Sequence, residues 1–186
     1  MSTTAIAPTS QTVTNLLAAY EGESNASVKY TAFAIRAEVE GYFRAAALFR
    51  AAARAEQVHA AHHARIITKL GATPTAKFHE FEVKTTAENL ATAKAGEEYE
   101  RDVMYPDFIQ EAETQKNSSA IRTFQWALEA EAEHARMYSH ALRHLNEQRT
   151  KTVFYVCAAC GYTTDDQDLM RCMVCNAPRE KFERIE

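Results

Sequence analysis

The sequence predicts a mainly helical fold: a four-helix bundle with one long crossover, followed by a small metal-binding tail. Three observations carry this expectation. Residues 12 to 147 are dominated by Ala, Leu, Glu, Arg, Gln and Lys, the strong helix formers, and the whole chain holds only five Gly and four Pro, too few turn residues for a sandwich or barrel. The helical run is interrupted only at Gly41, at Gly71 to Lys84 and at Lys116-Asn117-Ser118-Ser119. All four Cys lie between Cys157 and Cys175, which suits a cytosolic metal clip better than a disulfide framework spread over the chain.

The interruptions predict helices over 12–40, 42–70, 86–115 and 118–147. Thr85-Thr86-Ala87-Glu88 has the capping-box pattern that opens the third, and Asn117 or Ser118 is suited to cap the fourth. Segments near thirty residues run the full height of a bundle. The short breaks at Gly41 and at 116–118 force antiparallel neighbours, so helices one and two pair, as do three and four. The stretch 71–84, with Gly71 and Pro74, is long enough to cross from one end to the other and has room for a little structure of its own. Two hairpins joined by one crossover form the ferritin-like arrangement. After the polar stretch ending at Thr150, Thr152 to Val156 reads as a short strand leading into Cys157, so the division is expected at 1–149 and 150–186.

Several classes drop out. No window of 18 consecutive apolar residues exists, which removes a transmembrane helix. Met1 to Thr14 has neither a basic start nor an apolar centre, so it does not read as a secretory signal, and a cytoplasmic location is expected. A net charge of -4 and a pI near 6.0 disfavour a broad nucleic-acid or anionic-membrane surface.

The two hairpins resemble each other. Arg54 to His59 returns 75 residues later as Glu129 to His134, and the same offset pairs Phe49 with Phe124, Tyr30 with Tyr105, Phe33 with Phe108 and Leu70 with Leu145. Gly22-Glu23 matches Gly96-Glu97 at an offset of 74. One extra residue therefore lies between Glu97 and Tyr105, and a helix absorbs such an insertion most easily as a π-bulge.

Glu56 with His59 and Glu131 with His134 are Glu-x-x-His pairs, and residues i and i+3 share a helix face. One pair means little on a solvated helix. Two at equivalent positions of a repeat can meet across the core. Glu23 and Glu97 are equivalent on helices one and three, and Glu100 shares the face of Glu97. Such a set is the di-iron carboxylate pattern. Around these glutamates run the apolar stripes Ala45, Leu48, Phe49, Ala52, Ala55, Ile66 and Ala127, Leu128, Ala135, Tyr138, Leu142. Carboxylates on an apolar stripe are costly to bury unless a cation compensates them. Tyr30 and Tyr105, about two turns from Glu23 and Glu97, can donate hydrogen bonds to the carboxylates or simply pack with a satisfied hydroxyl. His62, His63, His79, His140 and His144 have no repeated carboxylate partner and read as solvated. Glu98, Glu111, Glu113, Glu129 and Glu133 read as surface charges, Trp126 as core, and Pro106 as a kink or companion of the bulge.

Cys157-Ala158-Ala159-Cys160 and Cys172-Met173-Val174-Cys175 are two C-x-x-C knuckles 11 residues apart. Together they make a tetrahedral sulfur site for zinc or iron. Taken in order, Tyr20 to Ser24, Glu56 to His59, Gly96 to Glu100, Met104-Tyr105-Pro106, Glu131 to His134 and Cys157 to Tyr162 resemble the rubrerythrin family over residues 12 to 186. The resemblance implies an oxo-bridged di-iron site in a ferritin-like domain and a C-terminal rubredoxin-like domain with one iron in the thiolates of Cys157, Cys160, Cys172 and Cys175. Carried over, one iron takes Glu23 and Glu56, with Glu100 on that side and His59 available. The other takes Glu97, Glu131 and His134, with Glu56 and Glu131 bridging and His59 exchanged for the Glu97 carboxylate with oxidation state. The resemblance also implies a homodimer in which the tail of one chain lies near the di-iron site of the other.

The function expected is a peroxidase that reduces hydrogen peroxide to water, with electrons arriving through the four-cysteine iron. No GxGxxG or flavin motif occurs, so NADH is not the donor bound here and a separate reductase or a rubredoxin must deliver them. The rival readings are a ferroxidase or iron-storage bundle, which needs no redox-active tail, and a zinc-ribbon adaptor, which leaves the repeated Glu-x-x-His pairs unexplained.

Overall fold

In the computed structural model, which describes residues 10–186, four long helices form the bundle and the tail folds against one side of it. The expectation for Met1 to Thr14 rests mostly on positions outside the described residues. Helix α1 (Gln11–Val39) starts where the Ser10 hydroxyl accepts the Val13 amide at 3.3 Å. It ends at Gly41, whose φ of 77° lets the Tyr42 amide reach back to the Ala37 carbonyl at 2.8 Å. Helix α2 (Phe43–Lys69) ends the same way at Gly71, with Ala72 N–H donating to Ile67 O. The reversal between α1 and α2 is therefore tight, and the two helices pack closely along each other.

The crossover, 72–85, has no helix or strand of its own. It is tied down by α1 instead: Asn25 Nδ2 donates to Lys77 O and Asn25 Oδ1 accepts from His79 N, both at 2.9 Å, while Glu21 accepts from Lys77 N. Helix α3 (Thr86–Tyr99) opens with the expected capping box between Thr85 and Glu88. Its continuation α4 (Tyr105–Thr114) is joined to it by five π-helical residues, Glu100–Met104, with Pro106 in the first turn after them. The inserted residue inferred from the 74-against-75 offset is accommodated there. Asn117 caps α5 (Ser118–Arg143) through Ala120 N–H, and a 3-10 turn, Leu145–Arg149, closes the bundle.

The tail is a three-stranded antiparallel sheet, β1 (Phe154–Cys157), β2 (Thr163–Thr164) and β3 (Phe182–Ile185), in the order β2-β1-β3. Tyr155 faces Thr164 on one side and Arg184 on the other. Phe154 and Val156 point away from the knuckles into the bundle core, beside Leu48 and Phe49. Burying two such side chains contributes about 1.5–3 kcal/mol each. Arg54 of α2 adds a two-pronged ion pair with Glu183 at 2.6 and 2.7 Å.

The core divides into two apolar clusters. One gathers Tyr30, Phe33, Phe49, Leu90 and Tyr138, the other Leu16, Ile67, Tyr105, Phe124 and Ala127. Along α1 Glu23 falls between them, and along α2 so do Glu56 and His59. A polar layer thus crosses the bundle at mid-height. Ile66, Leu128 and Leu142, expected on the inward stripes, are only half-buried; Ile67 fills the position expected of Ile66. Trp126 is not in the bundle core: it is half-buried and packs on the cysteines.

Candidate metal centres

The polar layer holds Glu23, Glu56, Glu97, Glu131, His59 and His134, every one of them buried. Nδ1 of His59 lies 2.9 Å from both Glu56 and Glu131 and 3.8 Å from Glu23. Nδ1 of His134 lies 2.8 Å from Glu131, 3.5 Å from Glu56 and 3.7 Å from Glu97. Glu56 and Glu131 therefore face both imidazoles, whereas Glu23 faces only His59 and Glu97 only His134. The donors form two overlapping groups, Glu23, Glu56, His59, Glu131 and Glu56, Glu97, Glu131, His134, each with its ligand atoms within 4.8 Å of one another.

Four carboxylates in one apolar bundle would expel each other. Burial pushes the Glu56 and Glu131 carboxyls well above their ordinary range, reinforced by neighbouring glutamates. Burial also opposes a charge on His134, yet the carboxylates of Glu97 and Glu56 outweigh it and raise that imidazole to about 8. One oxygen each of Glu23, Glu56, Glu97 and Glu131 is buried with no hydrogen-bond partner among the described residues. Orphaned carboxylate oxygens converging on one spot are what a pair of cations satisfies, so these residues fit a di-iron centre.

The tyrosines cross the bundle. Tyr30 of α1 donates to Glu97 at 2.7 Å and Tyr105 of α4 donates to Glu23, each tying a carboxylate of the opposite hairpin. His63, expected in solvent, is fully buried and continues this chain. Its Nε2 lies 3.3 Å from the Tyr105 hydroxyl and its Nδ1 3.3 Å from Thr123. Since Tyr105 gives its proton to Glu23, His63 must donate to Tyr105 and accept from Thr123. The offset of 75 maps His63 onto Tyr138, which is equally buried and sits 5.8 Å from Tyr30 in a T-shaped contact. That equivalence is the signal in the sequence that points to His63. His79, His140 and His144 are exposed as expected, and His62 is half-buried against Trp126.

The resemblance groups Glu97 with Glu131 and His134, and Glu97 does stand beside His134, because α3 is the neighbour of α5. Glu100, the first residue of the π turn, belongs to neither donor group; it is half-buried, and burial together with Glu23 and Glu97 pushes its carboxyl well up.

The four cysteine sulfurs also cluster, with Cys157 to Cys175 at 3.7 Å and Cys160 to Cys172 at 3.4 Å. A tetrahedron with arms of about 2.3 Å has edges of about 3.8 Å, so the sulfurs fit one thiolate-bound ion. Both knuckles close alike. Gly161 N–H donates to Cys157 O, Asn176 N–H donates to Cys172 O, and both residues have positive φ, 86° and 59°.

The tail lies directly on the carboxylate layer of its own chain. His59 Nε2 donates to the Cys160 carbonyl at 3.1 Å. His134 Nε2 lies 3.0 Å from the Thr163 hydroxyl, which itself donates to the Gly161 carbonyl. Both imidazoles are thereby held as Nε2–H tautomers, with Nδ1 aimed at the glutamates. This contact lies within one chain. Two features permit it: Gly161 has no Cβ to strike His59, and Phe154, Val156 and Glu183 anchor the sheet to α2.

A family model described as Rubrerythrin matches residues 14–142. Rubrerythrin-2 of Clostridium acetobutylicum is 33% identical over 171 residues, covering 90% of this chain and 93% of that one. Nigerythrin of Nitratidesulfovibrio vulgaris is 34% identical over 92% of this chain and 85% of its own. A solved structure of nigerythrin in its fully reduced, all-ferrous state superposes with a TM-score of 0.87 at 34% identity, covering 98% of this chain and 89% of that one.

Proposed function

The chain belongs to the rubrerythrin family, and from that membership we propose that it is a di-iron peroxidase reducing hydrogen peroxide to two waters with two electrons and two protons. The observation that carries the reading is the double contact of Glu56 and Glu131 with both histidines, while the tail touches the far nitrogen of each. Glu23, Glu56, His59, Glu97, Glu131 and His134 would hold the iron pair, with Glu100 near it, and Cys157, Cys160, Cys172 and Cys175 the single iron. When bound, the iron pair supplies two electrons and a Lewis acid at the O–O bond. Glu56 and Glu131, each facing both imidazoles, would be shared by the two ions. Tyr30 and Tyr105 fix the rotamers of Glu97 and Glu23, and the glutamates relay protons to the departing oxygen. The apolar clusters above and below exclude bulk water.

The same reading divides the chain at 149/150, places it in the cytoplasm, where free thiols persist, takes a rubredoxin or another external reductase as donor, and includes a homodimer. Exposed Val28, Ile35 and Val39 on α1 support the last point. An iron-storage bundle would leave the contacts from Cys160 and Thr163 to the histidines without a task, and a zinc-ribbon adaptor would leave the buried carboxylates unexplained.

The test replaces Cys157 or Cys172 by Ser in iron-loaded protein. Turnover driven by an external reductase should vanish, while a chemically pre-reduced protein still consumes about one equivalent of peroxide. Turnover that survives the substitution would show that electrons do not enter through the tail. Failure of the pre-reduced parent protein to consume peroxide would refute the peroxidase itself.

A further inference from the structure

Between the C-terminal half of α2 and the N-terminal half of α5 runs a groove of about 450 Å³, flanked by Arg65, Lys69 and Arg122, centred on Trp126 and bordered by Ala158 and Ala159. Among the described residues, no acidic one lines it. The three cations are exposed and take no part in any ion pair among the described residues, whereas most other arginines of the chain are paired. In a chain of net charge -4 this concentration of unpaired positive charge is a local exception. Its position is equally specific. Trp126 packs on the cysteine cluster, and Ala158-Ala159 is the link between Cys157 and Cys160, whose carbonyl in turn accepts from His59.

We infer that this groove docks an acidic electron-carrier protein at the entry to the four-cysteine site. The inference rests on the reading of the tail as the route for electrons. An aromatic and apolar centre ringed by arginine and lysine is the composition of a protein-docking patch, and cations around it steer an acidic partner. A carrier seated here meets the peptide between two cysteines. It loses one electron and the tail gains one; two such transfers supply the two electrons that one peroxide takes.

The experiment uses the full chain and an acidic rubredoxin. Zinc-substituted rubredoxin, which has no electron to give, reports binding by calorimetry at low and high salt. Reduced iron rubredoxin then reports the rate of reduction of the four-cysteine iron, without peroxide. Arg65→Glu, Lys69→Glu and Arg122→Glu together should weaken binding and slow reduction at low salt by about tenfold or more and flatten the salt dependence. The milder Gln set should move both in the same direction. Lys77→Glu, Arg143→Glu and Lys151→Glu, which change charge equally outside the groove, should leave both unchanged. No binding by the parent protein, equal losses from both triple variants, or a change in the oligomeric state of the groove variant with carrier binding intact would each overturn the inference. Because no peroxide is present, intact docking with absent peroxidase activity would refute only the proposed reaction.

Discussion

A methyl group at position 161 would overlap Nε2 of His59, and the backbone there is left-handed. Gly161→Ala therefore combines a conformational cost of about 1–2 kcal/mol with displacement of the imidazole that reaches Cys160. Chemical denaturation should show a loss of at least that size, and iron bound per chain should fall. A variant as stable and as iron-rich as the parent would mean that the tail is not seated on His59. His63 makes a second case. Its replacement by Leu leaves the Thr123 hydroxyl and the Tyr105 oxygen without their partner, a cost of about 1–3 kcal/mol. Unfolding at unchanged stability would contradict the buried chain from Thr123 to Glu23. The ligand candidates were legible because repetition singled them out. His63 was not, because its counterpart at the same offset is a tyrosine, and the kinship between them is one of position rather than residue type.

The π turn between α3 and α4 shows how an element can be read from arithmetic. Glu23 and Tyr30 are seven residues apart, two α-helical turns, while Glu97 and Tyr105 are eight apart and still occupy matching places. The wider turn takes up the difference. Deleting exposed Val103 should restore the seven-residue spacing, keep helix content and thermal midpoint at or above the parent's, and draw Glu100 away from Glu23 and Glu97. Circular dichroism showing a collapsed bundle would refute the insertion. The helix ends were equally legible, since Gly41, Gly71, Thr85 and Asn117 each perform a local task that the sequence announces. The crossover's place in the chain was legible, but its anchoring was not. Its hydrogen bonds come from Glu21 and Asn25, more than fifty residues away, and no local pattern encodes a partner at that distance.

At the scale of the whole molecule, the position of the tail was the least legible feature. The knuckles specify a metal site wherever they sit, whereas the docking depends on Arg54, Phe154, Val156 and Glu183 acting together. Hydrogen bonds from Arg54 hold the Glu183 carboxyl below its ordinary value. A carboxyl lowered on folding stabilises above its unfolded pKa, and that contribution disappears as pH falls through the folded value. The thermal midpoint of Glu183→Gln should therefore lie below the parent's at neutral pH and converge with it in acid; a gap that stays constant with pH would mean the pair does not hold the tail. The central claim is that two equivalent hairpins build one shared centre, and iron per chain in Glu131→Ala beside Glu133→Ala tests it most directly. Glu131 faces both histidines, whereas Glu133 pairs with Arg136 on another face of α5. Loss of iron from the pair in the first variant, with the second unchanged, is the predicted result. Equal iron content in both would contradict a centre shared across the bundle.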